Sequence, residues 1–334
     1  MYSDIPLFLA LLFVGGGLLA LTWSSDFFID GASALAKILG ISPFVIGMVI
    51  IGFGTSAPEL CVSTMSGISG HSNLSLGNAY GSCIFNILVI LGVASIIHPI
   101  KVKPSITFVA VPCLVAISVF SWFLLKDGDY SRSDAFWQLG LFAVLLPAYC
   151  WFDQQGKKKP SDDGVAPAER GRSNAGIAVL KALVGLGVLI GSSHFLVWGA
   201  VDVARSLGIS ELIIGLTVLA VGTSLPELAS AVAAARKGKH EFVLGNIIGS
   251  NFFNTLAVVG LAGGISPISE FSPYVLTRDL PLMICASLLI LFFGVKWTDF
   301  RKSGRIVRVE GALWVIAFIA YTALMIYQEV NGNG

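Results

Sequence analysis

Charge is what this sequence has least of. Only 12% of its 334 residues are Asp, Glu, Lys or Arg, against about 25% in a soluble globular domain, and the deficit runs along the whole chain. The formal net charge is +1, so no acidic or nucleic-acid partner is implied. No basic residue precedes the first apolar stretch, which follows "MYSDIP"; a secretory leader wants a positive n-region, so this stretch reads as a first span. Cys61, Cys83, Cys113, Cys150 and Cys285 lie in apolar runs without metal-ligand spacing and read as small buried hydrophobes rather than disulfides. Histidines do not cluster: His71, His98 and His240 fall at loop edges, and His194 lies inside a span. Zinc and copper chemistry therefore has no ligand set here.

What is present is long apolar runs, in a chain that is 55% hydrophobic. Runs of spanning length fall at 5–36, 43–67, 73–98, 105–125, 134–152, 176–205, 211–235, 241–265, 273–296 and 309–328. The first and sixth are long enough to tilt. The expected fold is an all-α polytopic membrane protein. The substantial polar stretch, "DQQGKKKPSDDGVAPAERGRSN", separates two halves, giving a first five-helix repeat at 1–152, a linker at 153–175 and a second repeat at 176–334.

The halves repeat. With an offset of 168 and no gap from Gly40 to Ile100, about 25 of the 61 aligned pairs are identical. "GISPFVIGMVIIGFGTSAPEL" aligns with "GISELIIGLTVLAVGTSLPEL", and "GNAYGSCIFNILVILG" with "GNIIGSNFFNTLAVVG". An odd number of helices per half makes the second copy enter the bilayer from the opposite side, so the repeats are inverted, as alternating access requires. With the N-terminus outside, only Lys126, Arg132, Arg205 and Arg278 stay outside; every other lysine and arginine falls inside. Both termini are expected outside and the linker in the cytoplasm.

Each repeat places a glutamate behind a proline in an apolar run, Glu59 after Pro58 and Glu227 after Pro226. A carboxylate within a span is costly unless something binds it. Proline removes a backbone donor and clashes with the preceding turn, which should break the helix and free carbonyls near Gly54, Thr55, Gly222 and Thr223. Thr55, Ser56 and Glu59 share one helical face, as do Thr223, Ser224 and Glu227. In the following spans Asn78, Ser82 and Asn86, and Asn246, Ser250 and Asn254, recur every four residues. Hydroxyls, amides, carbonyls and two carboxylates are hard oxygen donors that suit Ca²⁺ or Na⁺. The blander readings are a structural hydrogen-bonded glutamate pair, asparagines that join helices, and Asp26, Asp30 and Asp202 as interface residues.

At these motifs the sequence resembles the sodium/calcium exchanger family of the cation/calcium antiporter superfamily, in its bacterial form, along essentially the whole chain. The resemblance implies about ten transmembrane helices as two inverted five-helix repeats. It implies Ca²⁺ held by Glu59, Glu227 and the carbonyls of Thr55 and Thr223. Sodium would meet Ser56, Ser82, Ser224 and Ser250, with carbonyls from Gly52 and Ala220, and Asn86 and Asn254 would complete the centre. Two positions depart from the family pattern: Asn254, where some relatives carry aspartate, and Cys83, where asparagine is expected as at Asn251.

The expected function is secondary antiport of Na⁺ against Ca²⁺ across a prokaryotic inner membrane, with no enzyme activity and no cofactor beyond the transported ions. The expected partners are those ions and the lipid bilayer. A proton could replace sodium as counter-ion. A cation channel fits mirrored halves less well than alternating access does. An intramembrane hydrolase using Ser56 or Ser224 would need a positioned base, which His194 alone could supply and which has Asp26 as its counterpart in the first repeat.

Overall fold

The computed structural model describes residues 6–68, 72–156, 175–207, 220–269 and 271–330. The helices are α1 (Leu7–Leu39), α2 (Pro43–Thr55), α3 (Ala57–Ile68), α4 (72–97), α5 (Ile106–Leu125) and α6 (Arg132–Gly156) in the first half. The second half contributes α7 (Ala175–Ser206), α8 (Ala220–Thr223), α9 (Leu225–Arg236), α10 (His240–Ile265), α11 (Val275–Gly294) and α12 (Arg308–Val330). Eight of these are long and apolar enough to span a bilayer, and α2–α3, bent by 44°, forms a ninth, broken span. The remaining expected span, 211–235, has residues 211–219 outside the described set, as are His71 and most of the linker, 157–174.

Local chemistry starts and stops these helices. Gly40 ends α1 at φ 64° and returns its N–H to Ala36 O, a left-handed cap for which glycine pays no Cβ penalty. Ser42 then caps α2 by accepting from Val45 N at 3.2 Å, with Pro43 at the first helical position.

Packing follows the repeat. The two longest helices, α1 and α7, lie antiparallel along each other, and small residues let their backbones meet. A Cβ on Gly31 would lie 2.5 Å from Ala182 N, and one on its repeat-mate Gly199 would lie 2.5 Å from Ala10 O. In the centre, α2 crosses α10, and a Cβ on Gly52 would lie 3.0 Å from Ser250 N, one on Gly249 2.5 Å from Met48 O. The apolar stretch of α10 is entirely buried, whereas only 11% of the stretches of α6 and α12 is buried. The bundle therefore surrounds α10 and α4, and its outer helices face lipid.

Two features add to the expected all-helical fold. Short antiparallel pairs join the halves at the two ends of α5: β1 (Ile100–Val102) with β4 (Gly304–Ile306), and β2 (Asp129–Tyr130) with β3 (Ile268–Ser269). Wider π-helical turns occur at Gly47–Gly52, Asn86–Leu91, Ile106–Ala110, Phe253–Val258 and Val275–Asp279. Four of them form repeat-related pairs, in α4 with α10 and in α5 with α11. Turns of this kind cluster at functional sites.

Candidate cation site

The helix interruptions fall at Ser56 (φ −83°, ψ 7°) and Ser224 (φ −93°, ψ 9°), two residues ahead of the prolines. This is where proline acts: its ring lies in the first turn of the new helix, and the clash and the missing donor are felt upstream. The freed carbonyls are not all open. Gly222 O accepts from Ser193 Oγ of α7 at 3.2 Å. Gly52 O accepts from Ser56 N at 3.1 Å and from Ser250 Oγ at 3.4 Å.

At the interruptions the halves exchange partners. Ser56 Oγ donates to Glu227 Oε1 at 2.9 Å, and Ser224 Oγ donates to Glu59 Oε1 at 3.0 Å. Ser82 adds a longer bond to Glu59 Oε1, 3.4 Å, and its hydroxyl accepts from Ser224 Oγ at 3.2 Å. Glu59, Glu227, Thr55, Ser56, Ser82, Ser224, Ser250, Asn86 and Asn254 are all buried. Thr223 is half-buried, and Ala220 enters only through its backbone at the start of α8. The second carboxylate oxygens, Glu59 Oε2 and Glu227 Oε2, have no hydrogen-bond partner among the described residues, and neither do Asn86 Oδ1 and both polar atoms of Asn254. Unpaired acceptors at such depth are costly unless a cation or donor meets them. No three His, Cys, Asp or Glu side chains gather among the described residues, so any cation held here would rely on hydroxyl, amide and carbonyl oxygens beside two carboxylates.

Hydrogen bonds to the backbones of the glutamates fix this arrangement. Asn78 Nδ2 donates to Glu59 O at 3.3 Å and Asn246 Nδ2 to Glu227 O at 3.1 Å, the same bond in each repeat. Thr55 Oγ1 reaches Asn246 Oδ1 at 3.3 Å. The asparagines thus join helices, and at the backbone of the glutamates themselves. Sequence reasoning left Asn251 outside the site. Its Oδ1 accepts from Asn86 Nδ2 at 3.0 Å, and its Nδ2 donates to Cys83 O at 3.3 Å. The signal was the repeat alignment, which sets Asn251 against Cys83. Cys83 itself is turned to α10, with Sγ 3.6 Å from Thr255 Oγ1 and 3.8 Å from Asn251 O.

Other polar candidates lie elsewhere. Asp26 pairs with Lys237 at 3.1 Å, and Asp30 with Lys237 and Lys239 at 3.0 and 3.4 Å. Burial holds the Lys239 ammonium below its usual range, with Asp30 opposing that shift. His194 is exposed and stands against Phe195, with no contact to the serine hydroxyls that a hydrolase would need activated. The Lys237, Lys239, Lys103–Glu241 (2.8 Å) and Lys101–Arg305 groupings lie together at the α9–α10 turn and the β1–β4 pair.

Two repeat-related carboxylates, enclosed by neutral oxygens at paired helix breaks inside a polytopic bundle, define an integral-membrane ion carrier rather than an enzyme. The chain belongs to the sodium/calcium exchanger protein family, whose model matches residues 9–151 and 177–327. It is 38% identical over 320 residues to CaxA of Alkalimonas amylolytica, a protein named as an antiporter, covering 95% of this chain and 98% of that one. It is 36% identical over 320 residues to the inner membrane protein YrbG of Escherichia coli (strain K12), covering 95% and 96%. The fold superimposes on the solved sodium-calcium exchanger NCX_Mj with a TM-score of 0.80 at 28% identity, covering 96% of this chain and 99% of that one.

Proposed function

We propose that the protein exchanges Na⁺ for Ca²⁺ across the prokaryotic cytoplasmic membrane by alternating access, with Glu59 and Glu227 as the shared ligands. The observation that carries this reading is the reciprocal bonding of Ser56 to Glu227 and Ser224 to Glu59. It commits one oxygen of each carboxylate to the opposite half and leaves the other oxygen without a partner among the described residues. A cation between the two glutamates would therefore bind both halves at once. In this reading Ca²⁺ takes both carboxylates with the Thr55 and Thr223 carbonyls. Sodium takes the hydroxyls of Ser56, Ser82, Ser224 and Ser250 with the Gly52 and Ala220 carbonyls, beside the same two carboxylates, and Asn86 and Asn254 complete the centre. Because the sets share the glutamates, the two ions compete, and competition at one site that opens to either side is what couples their fluxes.

The domains in this reading are 1–152 and 176–334, two inverted repeats joined by the cytoplasmic linker 153–175, with both termini outside. The gathering of Lys101, Lys103, Lys237, Lys239 and Arg305 at one end supports that end as cytoplasmic. Sodium is preferred to a proton as counter-ion because neutral hydroxyl oxygens surround each carboxylate, and these coordinate a cation but add nothing to proton carriage. The test is Ca²⁺ uptake into proteoliposomes under an imposed Na⁺ gradient or an imposed pH gradient. Uptake that follows sodium and ignores pH is expected; uptake driven by the pH gradient alone replaces sodium with H⁺.

A further inference from the structure

The lipid-facing helix α6 carries one buried amide. Gln138 is fully buried, while its neighbours Phe136 and Trp137 are 67% and 70% exposed. An uncharged polar group turned inward from such a helix is costly unless its hydrogen bonds are made, and Gln138 makes them with three other elements. Its Nε2 donates to Ser121 Oγ of α5 at 2.8 Å and to Thr255 O of α10 at 2.9 Å. Its Oε1 accepts from the Tyr130 hydroxyl of β2. Two acceptors at nitrogen and a donor at oxygen fix which way the amide points.

Thr255 O needs that donor for a reason internal to α10. In an α-helix Val259 N would bond Thr255 O, but across the π-helical turn Phe253–Val258 Val259 N donates to Asn254 O instead. The wider turn strips Thr255 O of its usual partner, and a buried carbonyl without one is unfavourable. Gln138 supplies the missing N–H from outside the helix. Its approach depends on Gly260 and Gly263 of α10, where a Cβ would collide with Leu139 and Tyr130. The same turn carries Asn254, and Thr255 Oγ1 touches Cys83.

We propose that Gln138 is a positioning residue of the cation site: it holds the π-helical turn of α10 and, through it, the register of Asn254. This rests on the reading of Asn254 as a cation ligand. Ser121 and Tyr130 serve by orienting the amide, so a peripheral helix sets the geometry of the central site. The strand pairs Ile100–Ile306 and Ile268–Tyr130 are repeat-related, which sets Tyr130 against Ile306 and Gln138 against Trp314; Trp314 Nε1 has no hydrogen-bond partner among the described residues, so the device belongs to one half and makes the two halves inequivalent.

The experiment is a double-mutant cycle on reconstituted, purified protein, reading apparent Na⁺ and Ca²⁺ affinities separately from maximal flux. Gln138→Met keeps volume and removes both donors; it should weaken apparent affinity about three- to tenfold, the worth of one buried hydrogen bond, at nearly unchanged maximal flux. Asn254→Ala should weaken it as well, and the double variant should be no worse than Asn254→Ala alone. Tyr130→Phe, which leaves the bond to Thr255 O, should retain near-normal affinity. Gln138→Asn, one methylene too short to reach Thr255 O, is the second test and should behave as Gln138→Met does. Full additivity of Gln138→Met with Asn254→Ala, or unchanged affinity in either folded Gln138 variant while Asn254→Ala is impaired, overturns the proposal. If neither Gln138 variant accumulates folded, Gln138 is a folding determinant and the positioning role is overturned. Unchanged affinity in Asn254→Ala instead sinks the ligand reading beneath it.

Discussion

Replacing either glutamate by glutamine is the sharpest perturbation of the site. Glu59 Oε1 already accepts from Ser224 and Ser82, and Glu227 Oε1 from Ser56, while each Oε2 has no partner among the described residues. A glutamine with its oxygen at the Oε1 position keeps those bonds and turns an NH₂ donor to the place of Oε2. Volume is conserved, one charge is lost, and an acceptor becomes a donor. At about 4 Å and an effective dielectric of about 20, the lost attraction is roughly 4 kcal/mol for a monovalent cation and about 8 kcal/mol for a divalent one. On the order of a thousandfold in Na⁺ affinity and a millionfold in Ca²⁺ affinity follows. Glu59→Gln and Glu227→Gln should therefore each abolish Na⁺-driven ⁴⁵Ca²⁺ uptake in proteoliposomes, with folded protein still present in the membrane. Calorimetric titration should show Ca²⁺ binding falling much further than Na⁺ binding. Near-normal exchange by either variant, or equal losses for the two ions, would refute the reasoning.

If three Na⁺ exchange for one Ca²⁺, each cycle moves one net charge, coupled to potential at about 2.3 kcal/mol per 100 mV, and a potassium–valinomycin diffusion potential should change the rate; a rate indifferent to voltage would point to two-for-one exchange, with Asn254 in place of a carboxylate as the reason. Cys83 packs on Asn251 and Thr255, so Cys83→Ala should leave both ion affinities unchanged; thiol labelling from the aqueous side that bound Ca²⁺ or Na⁺ suppresses would put the sulfur on the ion path. Gly249→Ala would press a Cβ to 2.5 Å from Met48 O, and the α2–α10 crossing should lose roughly 1–3 kcal/mol, read as a lower melting temperature in detergent; an unchanged melting temperature would contradict the crossing. Asp30 is half-exposed in its ion pairs, so Asp30→Asn should shift stability by less than about 1 kcal/mol and leave Ca²⁺ binding intact; a large loss of binding would make Asp30 a ligand.

Much of this protein was legible without coordinates because the bilayer imposes local rules. Apolar length places helices, since every buried peptide group must be satisfied within its own span; residues 105–125 read as a span, and α5 runs Ile106–Leu125. Proline next to a buried glutamate marks the breaks, because the loss of a backbone donor is a property of the residue. The fixed offset of 168 brought Glu59 and Glu227 into one hypothesis before either had a neighbour.

Tertiary structure decided what depends on two elements at once. Hydropathy sums the transfer energy of single residues, so it reads α6 as a lipid-facing span and is blind to the buried amide of Gln138 that turns inward. That Ser56 serves the glutamate of the other half, 171 residues away, follows from the crossing of α2 with α10, and the crossing follows from where glycines let backbones touch. The π-helical turns and the β1–β4 and β2–β3 pairs left no sequence signal, because no residue type demands them. They exist where packing across the halves makes a wider turn or a short ladder the cheapest way to satisfy the backbone.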